Sequence, residues 1–116
     1  MPLKIIDHSI TKSELSELAK ELFGDMVKAV VDLERGIMAV GGELHADEEV
    51  LLAETERSKR EDVWGVNIYP NNMENHWIEF DSMINLKPAH GNRSRGIENL
   101  ETQQKIKDIV KKLIGD

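Results

Sequence analysis

A glycine-bounded segment late in the chain holds the residues best suited to chemistry. Gly91–Gly96 reads Gly-Asn-Arg-Ser-Arg-Gly, which places two guanidinium groups, a hydroxyl and an amide within six residues. Arginine holds a carboxylate or phosphate with two parallel hydrogen bonds, and glycines let backbone N–H groups approach the same anion. A helix predicted to start just after the segment adds partial positive charge. We therefore expect a small anion to bind to Asn92, Arg93, Ser94 and Arg95.

The same segment has a structural interpretation that the sequence leaves equally open. Carboxylates are plentiful in this chain, so the two arginines could pair with acidic side chains and fasten a long loop to the rest of the fold. The candidate partners are Glu79, Asp81 and Asp47. Arginines saturated in this way would not bind a ligand.

Three residues elsewhere in the chain are expected to line the far side of the anion site. Glu79 and Asp81 lie two apart in a predicted strand, so their carboxylates share one face. Such a pair can exchange protons or bind a hard cation only where bulk water is excluded. The third residue is His45, which with one nearby acid is a weak metal signal and is more typical of a capping or hydrogen-bonded histidine. We expect no metal and no cofactor.

The sequence leaves open whether the protein is an enzyme. It has no cysteine, and Ser82 and Ser94 lack a His/Asp constellation at a recognisable spacing. If a reaction occurs, a carboxylate general base beside an arginine-held anion is the simplest chemistry.

The composition of the chain limits the partners that it is expected to bind and the compartment in which we expect it. The 116 residues include 15 Lys and Arg against 22 Asp and Glu, so the net charge is −7. Such a field repels nucleic acid and anionic membranes, and no apolar run is long enough to span a bilayer. The lack of cysteine excludes disulfide and zinc-ribbon scaffolds and fits a reducing compartment, so we expect the cytoplasm. A chain of this length is expected to form a single domain over residues 1–116.

Start signals and periodic apolar residues predict the element order α-β-β-α-β-β-α. Thr11 and Glu14 form a capping box, and Asn99 is placed to cap the last helix. Gly36 permits the tight turn of a first hairpin, and prolines and asparagines end the strands of a second. The predicted helices are Lys12–Phe23, one beginning near Asp47 and one beginning at Asn99; the predicted strands are residues 26–33, Ile37–Val40, Val63–Tyr69 and His76–Leu86.

This order favours the α+β class, with one mostly antiparallel four-stranded sheet made of two hairpins and three helices packed on it. Strand alternation places polar residues on one sheet face, namely Lys28, Asp32, Asn67, Glu79, Asp81 and Asn85. Antiparallel sheets commonly leave one face in water, so a solvated face is a simpler interpretation than a functional cleft.

Trp77 supports an alternative function. By strand alternation it shares the polar face with Glu79 and Asp81, where an amphipathic ring suits a pocket wall or a subunit interface. The alternative to anion binding is therefore a protein–protein interaction or homo-oligomerisation module with no small-molecule ligand. Trp77 or the edge of the sheet would mediate the contact.

Several stretches together resemble a known family. They are Gly-Gly-Glu-Leu-His-Ala-Asp, then Trp64-Gly65 with Asn67, Tyr69 and Pro70, then Ile-Glu-Phe-Asp-Ser-Met-Ile-Asn-Leu-Lys-Pro followed by Gly-Asn-Arg-Ser-Arg-Gly-Ile. On these residues the chain is similar, over nearly its whole length, to a family of short prokaryotic proteins described as a domain of unknown function. The resemblance implies a single-domain prokaryotic protein, and it implies no reaction, ligand or cofactor.

Overall fold

The computed structural model describes residues 3–115, which form three α-helices and a five-stranded sheet. The helices are α1 (Lys12–Glu21), α2 (His45–Glu56) and α3 (Leu100–Leu113). The strands are β1 (Lys4–Ile6), β2 (Ile10–Thr11), β3 (Val27–Asp32), β4 (Ile37–Val40), β5 (Val63–Ile68), β6 (Ile78–Glu79) and β7 (Ile114–Gly115). None of the helices in this part of the chain is long and apolar enough to cross a membrane.

The main sheet has the order β1-β4-β3-β5-β6, and every neighbouring pair in it is antiparallel. The predicted α+β class is confirmed. The prediction of four strands from two hairpins is wrong in detail, because β1 adds a fifth strand beside β4. β1 has three residues and pairs with a strand far along the chain, so no local signal marks it. β2 and β7 form a separate parallel pair.

The second predicted hairpin is much shorter than expected. The predicted strand His76–Leu86 is wrong, since only Ile78–Glu79 pairs with β5 and Met83–Asn85 forms a 3-10 helix. The hydroxyl oxygen of Ser82 accepts a hydrogen bond from the N–H of Ile84 at 3.3 Å, which favours a turn over a continuing strand. The segment after β6 therefore leaves the sheet ladder and packs against β5.

Trp77 does not share the polar face with Glu79 and Asp81, so that expectation is wrong. Its backbone is helical, with φ −96° and ψ −11°, and strand alternation begins only after it. The ring is 4% exposed and packs in the main core, with the Nζ of Lys12 5.0 Å from its centre. The Trp77 ring is therefore part of the main core and does not lie exposed on the polar face.

Helices cover both faces of the sheet. α1 and α3 lie on one face, over the main core, which includes Leu15, Ile68 and Ile106. α2 lies on the other face, where Leu52 belongs to a smaller core with Val30. Full burial of one such side chain stabilises the fold by roughly 2 kcal/mol. The face expected to be solvated is thus partly enclosed by α2.

Predicted helix starts are confirmed where a capping side chain marks them. The Thr11–Glu14 capping box is present at α1, and the side chain of Asn99 accepts hydrogen bonds from two N–H groups in the first turn of α3. α2 begins without a side-chain cap. His45 is the first residue of α2, and Asp47 lies in its first turn.

Two residues of the expected polar face are fully buried and support the fold. Asp32 accepts hydrogen bonds from two backbone N–H groups in the turn between β3 and β4 and from the hydroxyl of Ser58. Asn85 takes the place of a strand neighbour for β5, because its side chain accepts from the N–H of Gly65 at 2.8 Å and donates to the Gly65 carbonyl at 2.9 Å. These side chains hold the backbone that surrounds the site.

Candidate functional site

A pocket of about 270 Å³ opens at the N-terminus of α2, beside β5 and the segment that follows β6. We name it the His45 pocket. Its polar lining comes from Lys28, His45, Asn67, Asp81, Ser82 and Arg95. Of the residues expected from the sequence to contact an anion, the structure brings His45, Asp81 and Arg95 to this cavity.

The sheet register positions the floor of the pocket. Lys28 of β3 pairs with Asn67 of β5, and Asn67 pairs with Glu79 of β6. These three residues therefore lie in a row on one face of the sheet. Glu79 does not line the pocket, but it contacts Asn67, which does.

The side-chain oxygen of Asn67 is buried and has no hydrogen-bond partner in the described part of the chain. Its Nδ2 donates to the Oε1 of Glu79 at 2.8 Å. Because a carboxylate oxygen accepts and does not donate, this bond fixes the amide with Oδ1 directed away from Glu79. The residue is 5% exposed, and within residues 3–115 Oδ1 has no hydrogen-bond partner. A buried acceptor in this state requires an explanation, and a ligand donor is one.

His45 is held as a neutral ring. It is 7% exposed, and its Nε2 lies 2.8 Å from the carbonyl oxygen of Val66. A carbonyl oxygen only accepts, so Nε2 carries the proton and donates it. Burial lowers the pKa of the imidazole, and the nearby charges of Lys28 and Arg95 lower it further, although the Val66 bond and Asp81 oppose them. Nδ1 is thus the acceptor available to a molecule in the pocket.

Gly65 allows the pocket walls to meet. A Cβ at this position would lie 2.6 Å from both Cβ and Oγ of Ser82 and 3.1 Å from the Cδ2 of His45. Ser82 is itself 1% exposed. Only a residue without a side chain permits Ser82 and His45 to pack over β5 in this way.

Ser82 and His45 are neighbours but are not arranged as a nucleophile and its base. Nε2 of His45 is engaged by Val66, and the Oγ of Ser82 accepts from the N–H of Ile84. In the described part of the chain no hydrogen bond joins the two side chains, and such a bond is what activates a serine. The two side chains therefore pack together without forming a nucleophile–base pair.

Arg95 reaches the pocket and is only partly engaged by the protein. Its Nε donates to the Oδ1 of Asp81 at 2.8 Å, and both side chains are about half exposed. Its carbonyl oxygen accepts from the N–H of Ser82 and from the Nδ2 of Asn85, each at 3.0 Å, which anchors its backbone. The two terminal guanidinium nitrogens make no hydrogen bond to any of residues 3–115. They remain available for a bidentate contact.

The other loop residues do not reach the pocket. Asn92 is 4% exposed, and its Nδ2 donates to the carbonyls of Asn85, Ser94 and Gly96 while its Oδ1 accepts from the N–H of Glu98. Its hydrogen-bonding capacity is therefore used to shape the loop. Arg93 and Ser94 are exposed outside the pocket, so Arg93 and Arg95 do not converge on one point.

Sequence reasoning missed Glu48, the most perturbed acid near the site. It lies one turn after His45, is fully buried, and its Oε2 accepts from the N–H of Gly42 at 2.8 Å. Burial raises the pKa of this carboxyl to about 9. The spacing of residues along α2 could have indicated its burial. His45, Glu48 and the core residue Leu52 share one face of that helix.

The lining groups suit an anion better than a metal. Within residues 3–115 no three His, Asp or Glu side chains lie close enough to hold a metal ion. The His45 pocket instead combines two cations, Lys28 and Arg95, with a single carboxylate from Asp81.

Comparison with known proteins places the chain in a family but does not add a function. No curated protein and no solved structure matches it. A family model described as "protein of unknown function (DUF5674)" matches residues 4–113. The resemblance to a domain of unknown function is thereby confirmed, and the chain belongs to the DUF5674 family.

Proposed function

We propose that this protein binds a small anionic molecule in the His45 pocket, and that the molecule also carries a hydrogen-bond donor. The observation that supports this most strongly is the Oδ1 of Asn67, a buried acceptor with no hydrogen-bond partner among residues 3–115, on a residue that lines a pocket with two cations. A buried unsatisfied acceptor costs on the order of 1–3 kcal/mol, and a donor on a ligand would recover much of this.

The charge of the pocket supports an anion. Lys28 and Arg95 against Asp81 leave an excess of one positive charge, whereas the whole chain carries −7. His45 adds no charge near neutral pH, because burial lowers its pKa. The terminal nitrogens of Arg95 would hold two oxygens of a carboxylate or phosphate.

The acceptors of the pocket narrow the class of anion. The Oδ1 of Asn67 has no donor among residues 3–115, and the Nδ1 of the neutral His45 ring can only accept, so a bound molecule that carries a donor suits both atoms. Hydroxy acids and phosphates that retain a proton combine negative oxygens with an O–H donor. A volume of about 270 Å³ is close to the lower end of ordinary ligand pockets, roughly 300–1,000 Å³, so the part bound here is small.

This proposal keeps the anionic ligand expected from the Gly91–Gly96 segment and changes the residues that hold it. Arg95 is retained, with His45 and Asp81 beside it, and Lys28 and Asn67 are added. Glu79 acts through Asn67. Catalysis is not part of the proposal, and a prokaryotic, cytoplasmic setting stays a prediction from the sequence.

Thermal unfolding in the presence of small anions tests the proposal. The probes are phosphate, methyl phosphate, glycolate and lactate, added to wild type, Arg95→Ala and the matched control Arg93→Ala. We expect at least one probe to raise the melting temperature of wild type and of Arg93→Ala by several degrees, because ligand in hundredfold excess over Kd stabilises by about 2.7 kcal/mol. Arg95→Ala should not respond. Equal shifts in both arginine variants, or no shift with any probe, would contradict the proposal.

The alternative function, an interaction module, is not supported by the two features from which the sequence predicted it. The Trp77 ring is buried, and the edge strands of the main sheet, β1 and β6, have three and two residues. Short edges are poor templates for pairing with another chain. Self-association stays a prediction from the sequence.

A further inference from the structure

A second and larger cavity also borders the N-terminal half of α2. It has a volume of about 800 Å³, and its apolar lining comes from Leu3, Leu22, Phe23, Leu44, Val50 and Leu51. We name it the Leu44 groove. Phe23, Leu44 and Val50 are 41%, 59% and 52% exposed, although large apolar side chains are normally covered. The described residues thus leave an open apolar surface beside the proposed anion site.

The Leu44 groove and the His45 pocket are adjacent. Leu44, the residue before α2, lines both cavities. Lys28 lines the pocket, and its Nζ lies 5.4 Å from the ring centre of Phe23, which lines the groove. One molecule could therefore occupy both cavities, with its charged end near Lys28.

The wall of the Leu44 groove at Gly41 and Gly42 is held in place by the fold. Gly41 has φ +91°, a left-handed conformation suited to glycine, and the N–H of Gly42 donates to the buried Glu48. A Cβ at Gly42 would lie 2.9 Å from the Cγ of Glu48. The turn is therefore packed tightly before any ligand binds, which lowers the cost of binding.

Charge sets the direction in which such a molecule would lie. The polar rim of the groove comprises the exposed acids Glu43, Asp47 and Glu54, and no lysine or arginine of residues 3–115 lines it. An anionic group is disfavoured there and favoured near Arg95 and Lys28. The part of the molecule in the groove should be apolar and uncharged.

We propose that the His45 pocket and the Leu44 groove form one binding site for an amphipathic anion, with a carboxylate or phosphate head in the pocket and an apolar tail in the groove. The inference rests on the proposed anion site and adds the chemical class of the rest of the ligand. Each methylene that the groove buries should then increase affinity, by up to roughly fourfold when burial is complete.

Calorimetric titration with phosphate, methyl phosphate, butyl phosphate and octyl phosphate, each below its micelle concentration, tests the proposal. We expect affinity to rise at least tenfold from butyl to octyl phosphate in wild type. Val50→Glu, which adds a charge to the groove on an exposed helix position, should abolish this rise, measured as the ratio of the octyl phosphate affinity to the butyl phosphate affinity. Leu100→Glu is the matched control, because Leu100 is 75% exposed and lies outside both cavities, and it should behave as wild type.

The possible results separate the two proposals. Binding of phosphate and methyl phosphate without a dependence on chain length would overturn the amphipathic ligand and leave the anion site intact. Octyl phosphate binding that is equal in wild type and Arg95→Ala would overturn the anion head, and with it the proposed function. Equal chain-length dependence in Val50→Glu and wild type would place the tail outside the groove and overturn the inference.

The same head group could belong to a free molecule or to a membrane lipid. Sedimentation with vesicles of phosphatidylcholine containing phosphatidic acid distinguishes the two sources. Because a net charge of −7 repels an anionic membrane, we expect the protein not to sediment with these vesicles. Binding of monomeric octyl phosphate without sedimentation supports a free amphiphile as the ligand. Sedimentation that Arg95→Ala abolishes would support the same site with a lipid head group as its source.

Discussion

Gly65 lies directly beneath Ser82, so closely that a Cβ at Gly65 would stand 2.6 Å from the serine Oγ. We expect Gly65→Ala to lower the free energy of unfolding by about 1–3 kcal/mol, because overpacking forces the pocket wall off β5. Gly96→Ala is the control, since a Cβ there makes only ordinary contacts at 3.5 and 3.7 Å. Urea denaturation compares the two variants, and equal losses would show that the close approach at Gly65 is not required.

Asn92 should be needed for folding and Arg93 should not. Asn92→Ala removes four hydrogen bonds that close the loop, including a buried one to the Asn85 carbonyl, so we expect it to cost at least about 2 kcal/mol. Arg93→Ala changes an exposed side chain and should stay within about 0.5 kcal/mol of wild type. Thermal unfolding of both variants checks this. An Asn92→Ala variant as stable as wild type would contradict its assignment as a structural residue.

Lys87 is a buried lysine that should contribute to stability through its carbonyl contacts. It is 3% exposed, its Nζ donates to the Val63 carbonyl at 2.6 Å and to the Ile84 carbonyl at 3.3 Å, and it lies 4.5 Å from the ring centre of Trp64. Lys87→Met should cost about 2–3 kcal/mol in urea denaturation, since hydrogen bonds from a charged donor are lost. The control Lys105→Met alters an exposed position on α3 and should be neutral.

Glu48 should make stability depend on pH. Its pKa is raised to about 9 in the folded chain from an ordinary value of 4.5, so the folded state retains a proton that the unfolded state releases. Its contribution is therefore complete below pH 4.5 and is lost as the pH rises toward 9, by at most about 1.4 kcal/mol per pH unit.

The variant Glu48→Gln isolates this effect, because an amide does not titrate. The stability of wild type relative to Glu48→Gln should fall steadily from pH 5 to pH 8 in urea denaturation. Glu54→Gln, an exposed position on the same helix, should show a constant difference from wild type over that range. A constant difference for Glu48→Gln as well would contradict the assignment of Glu48 as a buried, protonated acid.

Local signals in the sequence predicted the elements that depend on neighbouring residues. The Thr11 and Asn99 caps and the hairpin of β3 and β4 follow from residues within a few positions of one another, and the structure confirms them. β1 depends on pairing with a distant strand. The prediction of a strand over His76–Leu86 is wrong because the Ser82 hydroxyl accepts a hydrogen bond from the N–H of Ile84 and starts a turn. The alternation of polar and apolar residues does not reveal this contact.

The sequence predicted only part of the candidate site, again because local residue patterns do not show tertiary contacts. Sequence reasoning identified residue types able to bind an anion, and His45, Asp81 and Arg95 do line one pocket. It did not indicate the direction of each side chain in the loop, where Asn92 turns inward to bond the backbone and Arg93 outward to solvent. Those directions are set by tertiary packing.

The most direct test of the anion site is a nuclear magnetic resonance titration of the labelled protein with methyl phosphate. The signals to follow are the side-chain amide of Asn67, the Nδ1 of His45, and the Nε–H groups of Arg93 and Arg95. We expect saturable shifts with one dissociation constant at Asn67, His45 and Arg95, and no shift at Arg93. Shifts at Arg93 with none at Asn67 and His45 would contradict it, because the anion would then bind on the outside of the loop.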